Sequence, residues 1–466
     1  MFTEIPGWQH IGGEEWKEQA LANTREMILQ YRNHTSIFLW GVRINESRDD
    51  DELYKKTNDL AHRLDPTRPT GGVRNFKRSH CFEDVYTYND FVHTGKNMGC
   101  EPKKAVTSAP GKGYMVTEYN GHMFPTKAFD WEGKRTEHAL RHARVLADVA
   151  AQKDIGGSFG WCMFDYNTHK DFGSGDGICY HGVLDLFRNP KPAAAVYASQ
   201  KDILCPADAV LQVCSSMDLG EYPGGTLPDV AVFTNADSVK LYKNGAFVAE
   251  FFPDRKGVYG ALPHPPIFVD DLVGSLLQQG EGYDAATAAQ MAACLNSIRR
   301  TGPADMTTGT KARIAALALK LHLTLDDATA LYGKYVGNWG VGAVSYRFDA
   351  VYNGEVVASV TKEPARSVRL VMEVCNPVLT DGPTWDAAAI RFRAVDQNGN
   401  TLPYFAETVQ LTVDGPAQLI GPALVPLRGG MAGSYLASIG RAGTVTLTAR
   451  CAGCAPVSEQ IEIQMV

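Results

Sequence analysis

Two glutamates stand where an apolar run gives way to a polar turn. Ser36-Ile-Phe-Leu-Trp-Gly-Val-Arg-Ile-Asn45-Glu46 drives β-branched and aromatic residues into an Asn-Glu pair, and Gly113-Tyr-Met-Val-Thr-Glu118-Tyr119 repeats the arrangement further along. A carboxylate at the tip of an apolar strand is costly to desolvate unless it has partners or a task. Two of them suit glycosidic-bond hydrolysis, one as acid and base, the other as nucleophile or water activator. If they share one mouth, repulsion raises one pKa, so that one is protonated while the other is ionised. Their separation decides between retaining and inverting chemistry, and chain spacing does not set it.

Other residues group around this pair. Arg43 and Asn45 flank Glu46. Asn45 is placed to donate to a sugar hydroxyl, whereas Arg43, a charge inside an apolar strand, needs a partner, either a substrate or a structural ion pair. The aromatics Trp40, Tyr88, Tyr119, Phe124, Trp161 and Tyr166 fall at or just beyond expected strand ends. Trp161, between Gly160 and Asp165, is the first choice for a sugar-stacking platform, with a core tryptophan as the alternative. His122, His169 and His181 offer donors, and His122 follows Glu118 most closely. Gly173-Ser-Gly175-Asp-Gly177 lacks the lysine and Ser/Thr of a phosphate loop and reads as a flexible loop beside the site.

The elements that must hold these residues alternate. Apolar spacing predicts amphipathic helices over 14–32 and 50–64, the second closed by Asp65-Pro66, and a long helix over 131–153. Between them come short strands near 37–44, 71–74, 84–88, 113–118 and 156–164. This pattern argues for parallel α/β architecture, whose active sites lie at the carboxyl ends of strands. Beyond residue 203 the chain turns to β-branched runs, two of them entering Asn-Gly hairpins at 244–245 and 353–354. A helical insertion spans about 266–337, with Thr324 placed to cap a helix. We therefore expect α/β plus all-β architecture in three domains: a partial (β/α)8 TIM barrel over 1–203, a β-sandwich over 204–366 carrying the insertion, and an immunoglobulin-like β-sandwich over 367–466.

Composition bounds the partners. The 466 residues, 44% hydrophobic and 21% charged, supply several cores, and a formal net charge of -7 offers no basic face to nucleic acid or anionic lipid. No stretch approaches the roughly 18 apolar residues of a membrane span, and the first residues lack a leader. Ten cysteines scattered through a long chain read as reduced thiols, which favours a cytoplasmic setting. Cys451-Ala-Gly-Cys454 resembles half a zinc site but has no second pair at matching spacing. Nothing in the sequence requires a cofactor; neither a divalent nor a monovalent cation has a motif behind it. The expected partner is a glycoside or oligosaccharide, and a homo-oligomer stays open.

Four segments carry a family resemblance. Asn33-His-Thr-Ser-Ile-Phe-Leu-Trp-Gly-Val-Arg-Ile-Asn-Glu46-Ser resembles the acid/base segment of glycoside hydrolase family 2, and Val116-Thr-Glu118-Tyr-Asn-Gly-His122 its nucleophile segment. Gly156-Gly-Ser-Phe-Gly-Trp161 resembles the eighth barrel strand, and Glu4-Ile-Pro-Gly-Trp-Gln the exit of the third. The resemblance implies a retaining exo-β-glycosidase with Glu46 as acid/base and Glu118 as nucleophile, with Tyr88, His122 and Trp161 at positions that touch the nucleophile or line the sugar subsite. It favours the β-galactosidase branch, because Ile178-Cys-Tyr-His-Gly182 lacks the Asn-x-Lys pair of family β-glucuronidases. A β-glucuronidase or another family β-glycosidase is the alternative. The resemblance further implies that the chain opens at the third barrel strand, so that amino-terminal domains of a parent enzyme are its missing partners. The rival of another class is an inactive truncated fragment acting as a carbohydrate-binding or structural module.

Overall fold

The computed structural model describes all residues except 93–95, 97, 169–174, 218–224 and 338–342. Its contacts divide into two compact units, one of residues 1–125, 140–163 and 258–262, the other of residues 126–139, 164–257 and 263–466. His169 and the first residues of the glycine loop, Gly173 and Ser174, lie outside the described residues.

The first unit is built on short parallel strands. β1 (Phe2–Glu4) leads through helix α1 (Glu14–Tyr31) to β2 (Leu39–Gly41), and β2 through α2 (Asp51–Leu64) to β3 (Thr70–Gly71). The three pair in that order, Phe2 opposite Leu39 and Trp40 opposite Thr70. β4 (Val73–Arg74) then starts a second parallel run with β5 (Val85–Asn89) and β6 (Gly113–Glu118). Gly41 is required where β1 meets β2, since a Cβ there would lie 2.5 Å from Glu4 Cγ.

The helices form for the reasons the sequence suggested. α1 buries Ala20, Thr24, Met27 and Ile28 on one stripe. In α2 the Asp50 carboxylate accepts from the Leu53 amide at 3.0 Å, capping the amino terminus, and Asp65 before Pro66 leaves the helical region. Their inner faces close over Ile5, Ile37, Trp40, Val42 and Ile44, one continuous apolar core. The strand expected over 156–164 is instead a set of isolated parallel bridges, Val116 with Ser158 and Asn120 with Trp161. Glycines 156, 157 and 160 supply no side chains to hold a longer ladder.

The second unit is dominated by antiparallel sheets. Strands 211–213, 230–234 and 267–269 form one, and strands 238–243, 246–251, 346–352 and 355–362 another, around a shared core that includes Val232, Leu241, Val269 and Phe348. Asn244-Gly245 and Asn353-Gly354 take positive φ in their turns, as Asn-Gly hairpins require. The insertion folds as helices 276–281, 285–301, 308–321 and 325–332, the last opened by a Thr324–Asp327 capping box. From residue 369 onward a four-stranded and a five-stranded sheet share a core centred on Ile390, Phe392, Leu411, Leu447 and Ile461. All ten cysteines are free thiols. Among the described residues no helix is long and apolar enough to cross a membrane, and no cluster of three or more His, Cys, Asp or Glu is arranged to hold a metal ion.

Candidate active site

The carboxyl ends of the parallel strands gather the polar groups. Past β2 the chain runs beside Trp8 and Gln9, the Gln9 amide donating to the Asn45 carbonyl at 2.8 Å, and the Glu46 amide donates to the Val73 carbonyl at 3.1 Å. Held between these neighbours, Glu46 adopts φ +57°, the left-handed region that non-glycine residues occupy at a cost. The next residue locks the turn: the Ser47 hydroxyl donates to the Ile44 carbonyl at 2.9 Å and lies 2.5 Å from the Tyr54 hydroxyl. Glu46 is thereby aimed by backbone and packing from both flanking strands.

Glu118 closes β6. A bulge between Tyr88 and Asn89 skips Thr117 and sets Asn89 opposite Glu118, the kind of irregularity that re-aims a side chain. Asn89 becomes the hub. Its Nδ2 donates to Glu46 Oε1 at 3.0 Å, to Glu118 Oε2 at 3.0 Å and, more weakly, to Asn45 Oδ1 at 3.3 Å, while its own carbonyl accepts from Thr117 Oγ1 at 3.2 Å. Because both glutamate oxygens lie on that one nitrogen, they are within about 6 Å of each other. That ceiling on the nearest oxygens accommodates the about 5 Å of pairs in which one carboxylate attacks directly.

Glu46 is nearly buried, and its other oxygen accepts from Trp8 Nε1 at 3.0 Å and Gln9 Nε2 at 3.2 Å. Glu118 is less well supplied with donors. Desolvation first, then the Glu46 charge, then that of Glu4, push its carboxyl up to about 8, and the Asn89 donor draws it back. Glu4, at the end of β1, reaches solvent but is ringed by protein, and desolvation pushes it up to about 7. The carboxylates near neutrality therefore hold protons between them, and their titration belongs to the group.

Trp161 lies beside Glu118, its amide donating to the Tyr119 carbonyl at 3.0 Å and its carbonyl accepting from Gly121 at 2.9 Å. The residue is 40% exposed. His122 is also exposed, with its ring centroid 5.3 Å from that of Phe91 in an edge-on contact. Tyr88 is buried in the aromatic core beneath β5 and β6, and desolvation raises its hydroxyl pKa. Arg43 takes the structural role of the two that the sequence leaves open. Its guanidinium pairs with Asp49 at 2.7 Å, donates to the Ser47 carbonyl at 3.1 Å and lies 4.4 Å over the Tyr54 ring. A buried cation with those partners braces the turn after Glu46, which corrects its placement among sugar contacts.

Trp40 is likewise core, its indole donating to Asp65 at 3.0 Å. Tyr166 and His181 belong to the second unit, where the Tyr166 hydroxyl lies 3.3 Å from His181 Nδ1. Sequence reasoning overlooked Asn89, Trp8, Gln9 and Glu4 as members of the cluster. The available signal was that Asn89 and Glu4 end their strands with a polar side chain, as Glu118 ends its own.

Comparison with known proteins gives the family. Residues 5–203 match the model of the Glycosyl hydrolases family 2, TIM barrel domain, and residues 379–460 that of the Glycoside hydrolase family 2 C-terminal domain 5. A beta-galactosidase of Thermoanaerobacterium thermosulfurigenes is 39% identical over 435 residues, 92% of this chain and 52% of the relative. One of Thermoanaerobacter pseudethanolicus is 36% identical over 454 residues, 97% of this chain and 51% of the relative. A solved beta-glucuronidase from glycoside hydrolase family 2 superposes with a TM-score of 0.61 at 17% identity, over 99% of this chain and 42% of that one, a likeness of fold. The chain spans about half the length of the relatives it matches.

Proposed function

The chain belongs to glycoside hydrolase family 2, and we propose that it carries the catalytic pair of a retaining exo-acting β-glycosidase of the β-galactosidase type. Residues 1–203 are read as part of a (β/α)8 barrel, residues 204–366 as a β-sandwich carrying the helical insertion, and residues 367–466 as an immunoglobulin-like sandwich. One observation carries the mechanism: the single Asn89 amide that donates to both Glu46 and Glu118.

In this reading Glu46, braced by Trp8 and Gln9, gives its proton to the glycosidic oxygen while Glu118 attacks the anomeric carbon. Positive charge developing at that carbon favours ionised Glu118. The leaving group departs, Glu46 then takes a proton from water, and that water releases the sugar from Glu118 with net retention. Asn89 holds both carboxylates at the separation the displacement needs. Trp161 stacks on the sugar, with Asn45 and His122 donating to hydroxyls and Tyr88 supporting Glu118 from below. Two carboxylates and one water balance the cycle, so the sequence requires no cofactor for it.

The β-galactosidase assignment draws on relatives that are 39% and 36% identical to this chain over 92% and 97% of its length. Its test is hydrolysis of aryl β-galactoside and aryl β-glucuronide by the full chain and by Glu118→Gln. Preferred galactoside turnover, lost in the variant, is expected. Unchanged turnover in Glu118→Gln would sink the catalytic pair, and faster glucuronide hydrolysis would overturn the sugar assignment.

A further inference from the structure

A cavity of about 370 Å³ opens beside Glu46, lined by Gln9, Ile11, Glu46, Arg48, Asn75 and Phe76. If Glu46 is the acid, its proton goes to the leaving-group oxygen, so what fills this cavity is the leaving group. The inference rests on that reading of Glu46. We infer that the cavity is a leaving-group subsite selective for an anionic sugar, carboxylated or sulfated, with Arg48 as its specificity-determining residue.

Three observations support it. Arg48 is exposed, and its guanidinium lies 5.6 Å over the Phe76 ring, with no hydrogen bond or ion pair among the described residues. The acidic run that follows does not neutralise it. Asp49 binds Arg43 and the His80 amide, Asp50 binds Lys17 and caps α2, and Asp51 holds His80. A free planar guanidinium beside an apolar face suits a carboxylate or sulfate, which it grips through two parallel donors. Asn75 Oδ1, meanwhile, is buried without a hydrogen-bond partner. An orphaned acceptor in a polar cavity calls for a donor, and a sugar hydroxyl supplies one. Phe76, 44% exposed, and Ile11 offer the apolar surface against which the C–H face of a pyranose packs.

The test compares three β-galactosides that differ only in the leaving group, glucose, glucuronic acid and glucose 6-sulfate, in the native full chain and in Arg48→Met and Arg48→Lys. Binding of free glucuronic acid and glucose 6-sulfate is followed by calorimetry. The native chain should favour the anionic leaving groups in kcat/KM by about tenfold, as one charge-assisted contact supplies. The preference should shrink with added salt, fall to about unity in Arg48→Met and persist in part in Arg48→Lys. The carboxylated and sulfated arms tell which anion fits better. Equal rates on charged and neutral substrates, or a preference that survives Arg48→Met, overturn the proposal. Arg48-dependent binding of the free acidic sugar without hydrolysis of any galactoside supports the subsite and instead overturns the catalytic reading. Absence of such binding together with absence of hydrolysis overturns both.

Discussion

Residues 443–451 and 457–465 pair as two nine-residue antiparallel strands whose inward side chains Val445, Leu447, Ile461 and Ile463 are buried, with outward residues alternating between them. The parallel strands that end at the carboxylates run two to six residues, and what they bury at their tips is charged or polar: Glu46, Asn89, Arg43 and the Arg74–Glu83 pair. One region is stabilised by ladder and apolar burial, the other by hydrogen bonds that hold costly groups in place. Glu46 at positive φ and Glu118 with a raised pKa mark where the second region forgoes stability for geometry. The contrast teaches that substitutions at the strand tips should cost activity, and substitutions in the terminal sheets should cost folding.

The sharpest break between the two would come from Glu118→Gln. Turnover of an aryl β-galactoside should fall by on the order of 10⁵-fold, as loss of a nucleophile does, with the thermal midpoint unchanged or higher because a desolvated carboxyl is removed. Next in size, Phe392→Ala, at a fully buried position of the terminal sheets, should destabilise by about 3 to 5 kcal/mol in denaturant unfolding. Activity per folded molecule should hold; if activity falls with unfolding absent, the separation of roles fails.

A smaller effect is expected of Asn89→Ala. The Asn89 donor lowers the Glu118 pKa, so its removal should raise that pKa. The acid limb of the kcat/KM profile, which reports ionisation of the nucleophile, should then move to higher pH, with kcat/KM down by about 10 to 100-fold. An unshifted limb would mean that Asn89 acts on packing alone. The smallest effect is on stability against pH. Glu118 is raised from 4.5 to about 8, so between those values the folded chain binds more protons than the unfolded one. Its contribution is fully present below about pH 4.5 and is lost as pH rises toward about 8. Glu118→Gln should flatten that decline.

Much of the fold was legible because period and punctuation carry it. The helices over 14–31 and 51–64, the Thr324 cap and both Asn-Gly hairpins followed from spacing, Asp-Pro breaks and turn chemistry. The ladder over 156–164 did not materialise, because a glycine-rich apolar run reads as a strand by hydropathy while offering few side chains to pack. In the site, Glu46 and Glu118 were legible as carboxylates at the ends of apolar runs. Asn89 was not, because its role depends on a bulge that shifts the register of β5 against β6 by one residue. Register is a property of two strands together. Arg43 stayed open for a related reason: sequence shows that a buried cation needs a partner, and only the turn after Glu46 shows that the partner is Asp49.

The most direct test of the paired-carboxylate account is to trap the intermediate. The full chain is incubated with a β-galactoside carrying fluorine at C2 and a good leaving group, which slows release of the glycosyl-enzyme, and its peptides are weighed by mass spectrometry. The account predicts one fluorogalactosyl adduct, on Glu118, with none in Glu118→Gln. An adduct on Glu46, or steady turnover with inversion at the anomeric carbon and no adduct, would contradict it.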